Sequence, residues 1–175
     1  APSDAYQGAM LANLLTAKGI TEIAITYVNN DYGKGFADAL EASFTGTVTA
    51  NEAHEDSKAD YRAELGSLAS TGTETLVVLA YADGSGQTIL RQAYESGDFT
   101  RYIGGDGMVG QSLIDAVGAD VLDGMIATKP GTPDVPGKDV FAKEMKALLL
   151  DPNAVFSAQA YDAAFLLALA IEENG

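Results

Sequence analysis

The chain has 175 residues, enough for one domain with a full hydrophobic core, and 47% of them are hydrophobic at a mean hydropathy near zero. A net charge of −15 argues against nucleic acid and anionic membrane surfaces as partners, because binding either means neutralising phosphates with Lys and Arg; it otherwise serves solubility. The absence of cysteine excludes disulfides, Cys-ligated zinc and thiol catalysis, while staying compatible with an oxidising compartment.

The longest apolar stretch, Ala163 to Ile171, is nine residues, far short of the roughly 20 that a membrane helix needs. No signal peptide is visible and residue 1 is Ala, which reads as a processed form or an excised piece.

Along the chain, the hydrophobic period alternates between helix-like and strand-like. Asp4 to Lys18 is a predicted helix, with Ser3 or Asp4 as its cap and Gly19 as its stop. A strand over Glu22–Val28 and a helix over Tyr32–Phe44 follow. Thr47–Ala53 is a more polar strand, expected near an edge. A helix spans Asp60–Ser70, with Gly72 after it. Leu76–Ala80 is continuously apolar, as in a central strand covered on both faces. Then come a helix over Gly86–Ser96 stopped by Gly97, a short strand over Arg101–Gly104, a helix over Gln111–Val117 stopped by Gly118, and a last strand over Gly124–Thr128. The sum is an α/β fold, a three-layer, doubly wound parallel sheet of about five strands.

The composition changes after residue 129. Residues 130–137 hold three of the five prolines and read as a linker. Two further helices, Lys138–Leu149 and Phe156–Glu173, follow with no strand after them. The last is apolar on most of its surface, which calls for burial. The expected organisation is therefore an α/β lobe over 1–129, a linker over 130–137, and a helical pair over 138–175.

Three strands run into polar loops bearing glycine and an acid: Asn29-Asn30-Asp31-Tyr32-Gly33, Tyr81-Ala82-Asp83-Gly84 and Gly104-Gly105-Asp106-Gly107. In an open parallel sheet the carboxyl ends of the strands share one edge, where ligands bind. Tyr32, Tyr81, Asp83 and Asp106 are thus the candidate ligand-binding residues. Two hydroxyl-bearing rings and two carboxylates suit a small cationic or zwitterionic molecule and do not suit a phosphate.

Other chemistries find little support. Gly105-Asp106-Gly107-Met108-Val109-Gly110 matches a dinucleotide fingerprint, but the Asp106 carboxylate would face the pyrophosphate; the glycines are better explained by positive φ and close backbone approach. His54, the one histidine, sits among Glu52, Glu55 and Asp56 and reads as part of a solvated loop. A lone His without Cys makes no typical zinc site, and no nucleophile, P-loop or metalloprotease motif is present. No catalytic residue, metal site or cofactor is assigned. Tyr27 and Tyr102 on strands, and Tyr61, Tyr94 and Tyr161 on helices, read as packing residues.

Five segments in order carry a resemblance: Pro2-Ser3-Asp4-Ala5-Tyr6-Gln7-Gly8, Asn30-Asp31-Tyr32-Gly33-Lys34-Gly35, Ile89-Leu90-Arg91-Gln92-Ala93, Gly104-Gly105-Asp106-Gly107-Met108, and Asp123-Gly124-Met125 up to Thr128-Lys129-Pro130. Their order and spacing resemble the second lobe of periplasmic branched-chain amino acid (leucine/isoleucine/valine-type) binding proteins of ABC transporters. The resemblance implies a type I periplasmic-binding-protein lobe, periplasmic localisation, and capture of an amino-acid-like ligand between two lobes, with a transporter permease as partner and no enzymatic activity. It also implies that Tyr32 matches the tyrosine of the family's Tyr-Gly-x-Gly turn and Asp106 its Gly-x-acid-Gly acid, often Glu. A contacting tyrosine falls among Tyr81, Ala82 and Asp83, where the loop length shifts by about a residue. The segment after Lys129 would cross to a first lobe that the chain does not contain, leaving helices 138–149 and 156–173 to pack there or to self-associate. The alternatives are a ligand-sensing receptor domain of the same fold and, less favoured, a flavodoxin-like enzyme.

Overall fold

The computed structural model describes residues 3–131 and 134–174; Ala1, Pro2, Thr132, Pro133 and Gly175, which belong to the expected lobe, linker and helical pair, lie outside the described residues. The chain divides into two compact units, Pro2–Lys129 and Pro130–Gly175.

The first unit is a five-stranded, all-parallel sheet in the order β2-β1-β3-β4-β5, with β1 Glu22–Val28, β2 Thr47–His54, β3 Thr75–Leu79, β4 Arg101–Gly104 and β5 Ile126–Ala127. Side chains alternate across each strand and feed two cores. Ile23, Ile25, Val77 and Leu79 meet Leu11 and Leu15 of α1 (Asp4–Ala17) and Phe36 and Leu40 of α2 (Asp31–Ser43). Ala24, Leu76 and Val78 meet Leu65 and Leu68 of α3 (Arg62–Ala69), Ile89 and Leu90 of α4 (Ser85–Ser96) and Leu113 of α5 (Gln111–Val117). Burying two faces requires the unbroken apolar run of β3, whose five residues are all buried.

Helices stop and touch where glycine allows it. Gly97 ends α4 in the left-handed region at φ 72°. Gly8 lets α1 lie against α2: a Cβ there would sit 2.7 Å from the Ala39 Cβ and 2.8 Å from the Leu40 nitrogen.

Some expectations need correction. The last strand shrinks to two residues because β5, at the edge, pairs only Ile126 with Ile103 and Ala127 with Gly104. A 3-10 turn over Asp106–Met108 and a short helix α6 (Ala119–Leu122) are too brief to show a period. Positive φ is not what the 104–110 glycines supply: Gly105 has φ −86° and Gly110 is extended at 179°. Tyr94 is half exposed, whereas Tyr61 and Tyr102 are buried and Tyr27 partly so.

The second unit contains α7 (Lys138–Ala147) and α8 (Ser157–Asn174). Tyr161 of α8 lies edge-on to Phe141 of α7 at 5.1 Å between ring centroids and donates to the Glu144 carboxylate. Phe165, Leu166, Leu167, Leu169 and Ile171 of α8 are exposed. Among the described residues no helix is long and apolar enough to cross a membrane.

Candidate functional site

In this strand order β1 lies between β2 and β3, so the chain leaves β1 toward one neighbour and returns to the other. In open parallel sheets a ligand crevice is expected at such a reversal, here outside the carboxyl ends of β1 and β3. The loops after β1, β3 and β4 meet there. Asn30 caps α2, its Oδ1 accepting the Gly33 N–H at 2.9 Å, and this sets Tyr32 in the first turn at the sheet edge. The same Asn30 donates from Nδ2 to the Tyr81 hydroxyl at 3.1 Å. Tyr32 and Tyr81 stack, with centroids 5.4 Å apart and planes 25° from parallel.

The loop after β4 is pinned to both tyrosine loops. The Ala82 N–H donates to the Gly107 carbonyl at 2.7 Å. The Gly107 N–H donates to the Tyr32 hydroxyl at 3.2 Å, and that hydroxyl donates to Asp106 Oδ1 at 3.0 Å. Close approach requires the glycine. A Cβ on Gly107 would lie 2.4 Å from the Ala80 carbonyl oxygen and 3.0 Å from the Tyr32 hydroxyl.

Asp106 is only 6% exposed. Gln7 of α1 donates to its Oδ1 at 3.2 Å, so Oδ1 has two donors. Among the described residues Oδ2 receives no hydrogen bond and the carboxylate joins no ion pair. A buried carboxylate is costly unless its acceptor capacity is met. Its field is felt nearby. Burial, and then the charge of Asp106, raise the Tyr32 hydroxyl above its ordinary value. The same two causes, in the same order, raise the Asp4 carboxyl.

The structure therefore brings together Tyr32, Tyr81 and Asp106. It does not bring Asp83 to them: Asp83 is exposed and takes no part in the hydrogen bonds or ring stacking that join the cluster. A carboxylate that feels Asp106 is Asp4, one of the two cap candidates of α1; the cap itself is Ser3, whose side chain accepts the Tyr6 N–H. Gln7, Asn30 and Thr128 also belong to the cluster. Gln7 and Asn30 lie within the segments that carry the family resemblance, but nothing local marks a helical Gln as the partner of an acid 99 residues away.

His54 corrects another expectation. It ends β2 and is 3% exposed, not solvated. Its Nδ1 lies 2.8 Å from Thr26 Oγ1 and its Nε2 3.0 Å from Ser85 Oγ, at the first residue of α4. Burial lowers its pKa from 6.5 to about 4, against the pull of Asp56, Glu64 and Glu55. Acidic neighbours in sequence suggested solvent, while the partners that bury the ring are 28 and 31 residues away. Ser85 is itself buried, at 1% exposed. No group of three or more His, Cys, Asp or Glu side chains among the described residues could hold a metal ion.

The chain has relatives in sequence and in fold. The family described as "Receptor family ligand binding region" matches residues 1–175, and the chain belongs to that family. It is 29% identical over 157 residues to the leucine-, isoleucine-, valine-, threonine- and alanine-binding protein of Pseudomonas aeruginosa, covering 87% of this chain and 42% of that protein. It is also 29% identical over 161 residues to a Leu/Ile/Val-binding protein homolog of Brucella melitensis, covering 88% and 42%. Among solved structures, a leucine-binding protein, LivK, of Thermotoga maritima superposes with a TM-score of 0.80 at 23% identity, covering 97% of this chain and 50% of that one. LivJ of Streptococcus pneumoniae, solved in complex with isoleucine, superposes with a TM-score of 0.78 at 24% identity, covering 96% and 49%. The fold is that of one lobe of such binding proteins, and the chain spans about two-fifths of the length of the curated relatives it matches.

Proposed function

We propose that this chain is the ammonium-binding lobe of an ABC-transporter solute-binding protein that captures an aliphatic amino acid in the periplasm. The observation that carries this reading is the buried Asp106 carboxylate beside the strand-order reversal, with Oδ1 engaged by Gln7 and Tyr32 and no ion pair to it among the described residues. A ligand ammonium supplies the missing donor to Oδ2. A hydrogen bond involving a charged group contributes about 1.5–3 kcal/mol.

The tyrosines divide the work. The Tyr32 hydroxyl already donates to Asp106 and accepts from Gly107, so Tyr32 braces the acid and contributes ring surface. The Tyr81 hydroxyl accepts from Asn30 and keeps its proton for a ligand oxygen. The remainder of the binding site, which holds the ligand carboxylate, belongs to the other lobe. Closure of the two is a hinge motion that a permease would read. The exposed apolar side chains of α8 are surface for that other lobe or, in the 175-residue chain alone, for a second copy. The relatives' names motivate the choice of amino acids, and capture needs no catalysis.

The test is a thermal-shift screen of the protein in its full natural length. L-leucine should raise the melting temperature, while 4-methylpentanoate, the same skeleton without the ammonium, should not. Equal shifts from both would reject Asp106 as the ammonium acceptor. The family's description as receptors favours one second reading, a sensor built on the same site. Permease and ATPase genes beside the coding sequence would decide for transport.

A further inference from the structure

The acid of the site is held by a residue from the opposite end of the unit. Gln7 lies in α1, is itself 7% exposed, and brings its Nε2 to 3.2 Å from Asp106 Oδ1, 3.1 Å from the Thr128 carbonyl oxygen and 3.2 Å from Thr128 Oγ1. A carboxylate and a backbone carbonyl only accept, so the amide is oriented with its NH2 toward them. Two N–H bonds thus serve three acceptors, one of them shared. Thr128 is fixed in turn, its N–H donating at 3.2 Å to the carbonyl of Gly104, two residues before Asp106. Gln7, Thr128, the end of β4 and Asp106 form a closed circuit around the carboxylate.

We propose that Gln7 is a positioning residue for Asp106. With Tyr32 it captures Oδ1 from two directions, so rotation of the carboxylate breaks both bonds, and Oδ2 alone is presented to the ligand. A site with one presented oxygen selects a single ammonium at a set angle and discriminates against flat, bidentate cations such as guanidinium, which need both oxygens. This inference rests on the reading of Asp106 as the ammonium acceptor.

Gln7→Met keeps the length and volume of the side chain and removes both donors. In the protein of full natural length, with L-leucine as probe in calorimetry, Gln7→Met should weaken binding about tenfold and Asp106→Ala at least tenfold. The double variant should be no more than about twofold worse than Asp106→Ala alone, because Gln7 acts through that carboxylate. Losses that multiply, or unchanged affinity in Gln7→Met, would overturn the proposal. The same cycle read by urea unfolding without ligand should show the two substitutions coupled; additive losses there would also overturn it. Coupled unfolding in a protein that does not bind leucine at all would uphold Gln7 as the residue that holds Asp106 and sink the ammonium reading instead.

Discussion

Asp106 and His54 are both buried polar side chains at the carboxyl edge of one sheet, and they are completed differently. Each ring nitrogen of His54 has a hydroxyl partner, from Thr26 and Ser85, and burial keeps the ring neutral down to about pH 4. Asp106 has two donors crowded on one oxygen and none, among the described residues, on the other. Saturation is what a structural polar group needs in a low-dielectric interior. Leftover acceptor capacity on a charged group fits a place that receives a partner. The difference separates a brace from a binding site within the same row of loops.

The largest expected effect lies on the Asp106 side. Losing one partner of a buried charged pair costs about 2–5 kcal/mol, so Asp106→Asn should weaken leucine binding by tenfold or more in calorimetry, with little loss in melting temperature. For His54 the expectation is the reverse: stability moves and affinity does not. Its folded pKa of about 4 lies below the ordinary 6.5. Between those values the unfolded chain binds more protons, so stability present above pH 6.5 is lost as the pH falls toward 4, by up to about 3 kcal/mol. Urea titrations from pH 7 to 4 should show this limb, and His54→Leu should flatten it. Asp56, Glu64 and Glu55, which favour the charged ring, and Lys58, which opposes it, help to set how far down in pH the limb extends.

Gly107→Ala tests whether the two properties meet in one loop. Its Cβ would press on the Ala80 carbonyl and the Tyr32 hydroxyl, which should cost about 1–3 kcal/mol and lower leucine affinity as well. The smallest effect is expected at Asp83. Being exposed and outside the cluster, Asp83→Asn should change both melting temperature and affinity by less than can be separated from scatter. A tenfold loss there would restore Asp83 to the site and break the contrast.

Much of this molecule was legible in its sequence because the decisive signals are local. The switch between two periods gave five strands in order, and the unbroken run at 76–80 marked a strand covered on both faces. Tyr32, Tyr81 and Asp106 could be placed on one rim because parallel strands end on one side. What escaped was set by partners distant in the chain. Asp83 and Asp106 have the same local setting, an acid before glycine after a strand, but only Asp106 starts a 3-10 turn that folds inward. Gln7 looked like any helical polar residue, and His54 like a loop residue, since the groups that meet them come from the residue after β5, from β1 and from α4. The reach of β5 was overestimated because Gly124, at φ 73°, and Met125, whose N–H donates to the Leu122 carbonyl, belong to the turn before it.

The central claim is that Asp106 Oδ2 accepts a ligand ammonium, and discrimination measures it directly. Calorimetry of the protein in its full natural length should show L-leucine bound far more tightly than 4-methylpentanoate, with Asp106→Asn removing most of that preference. A preference left intact in Asp106→Asn would contradict the claim.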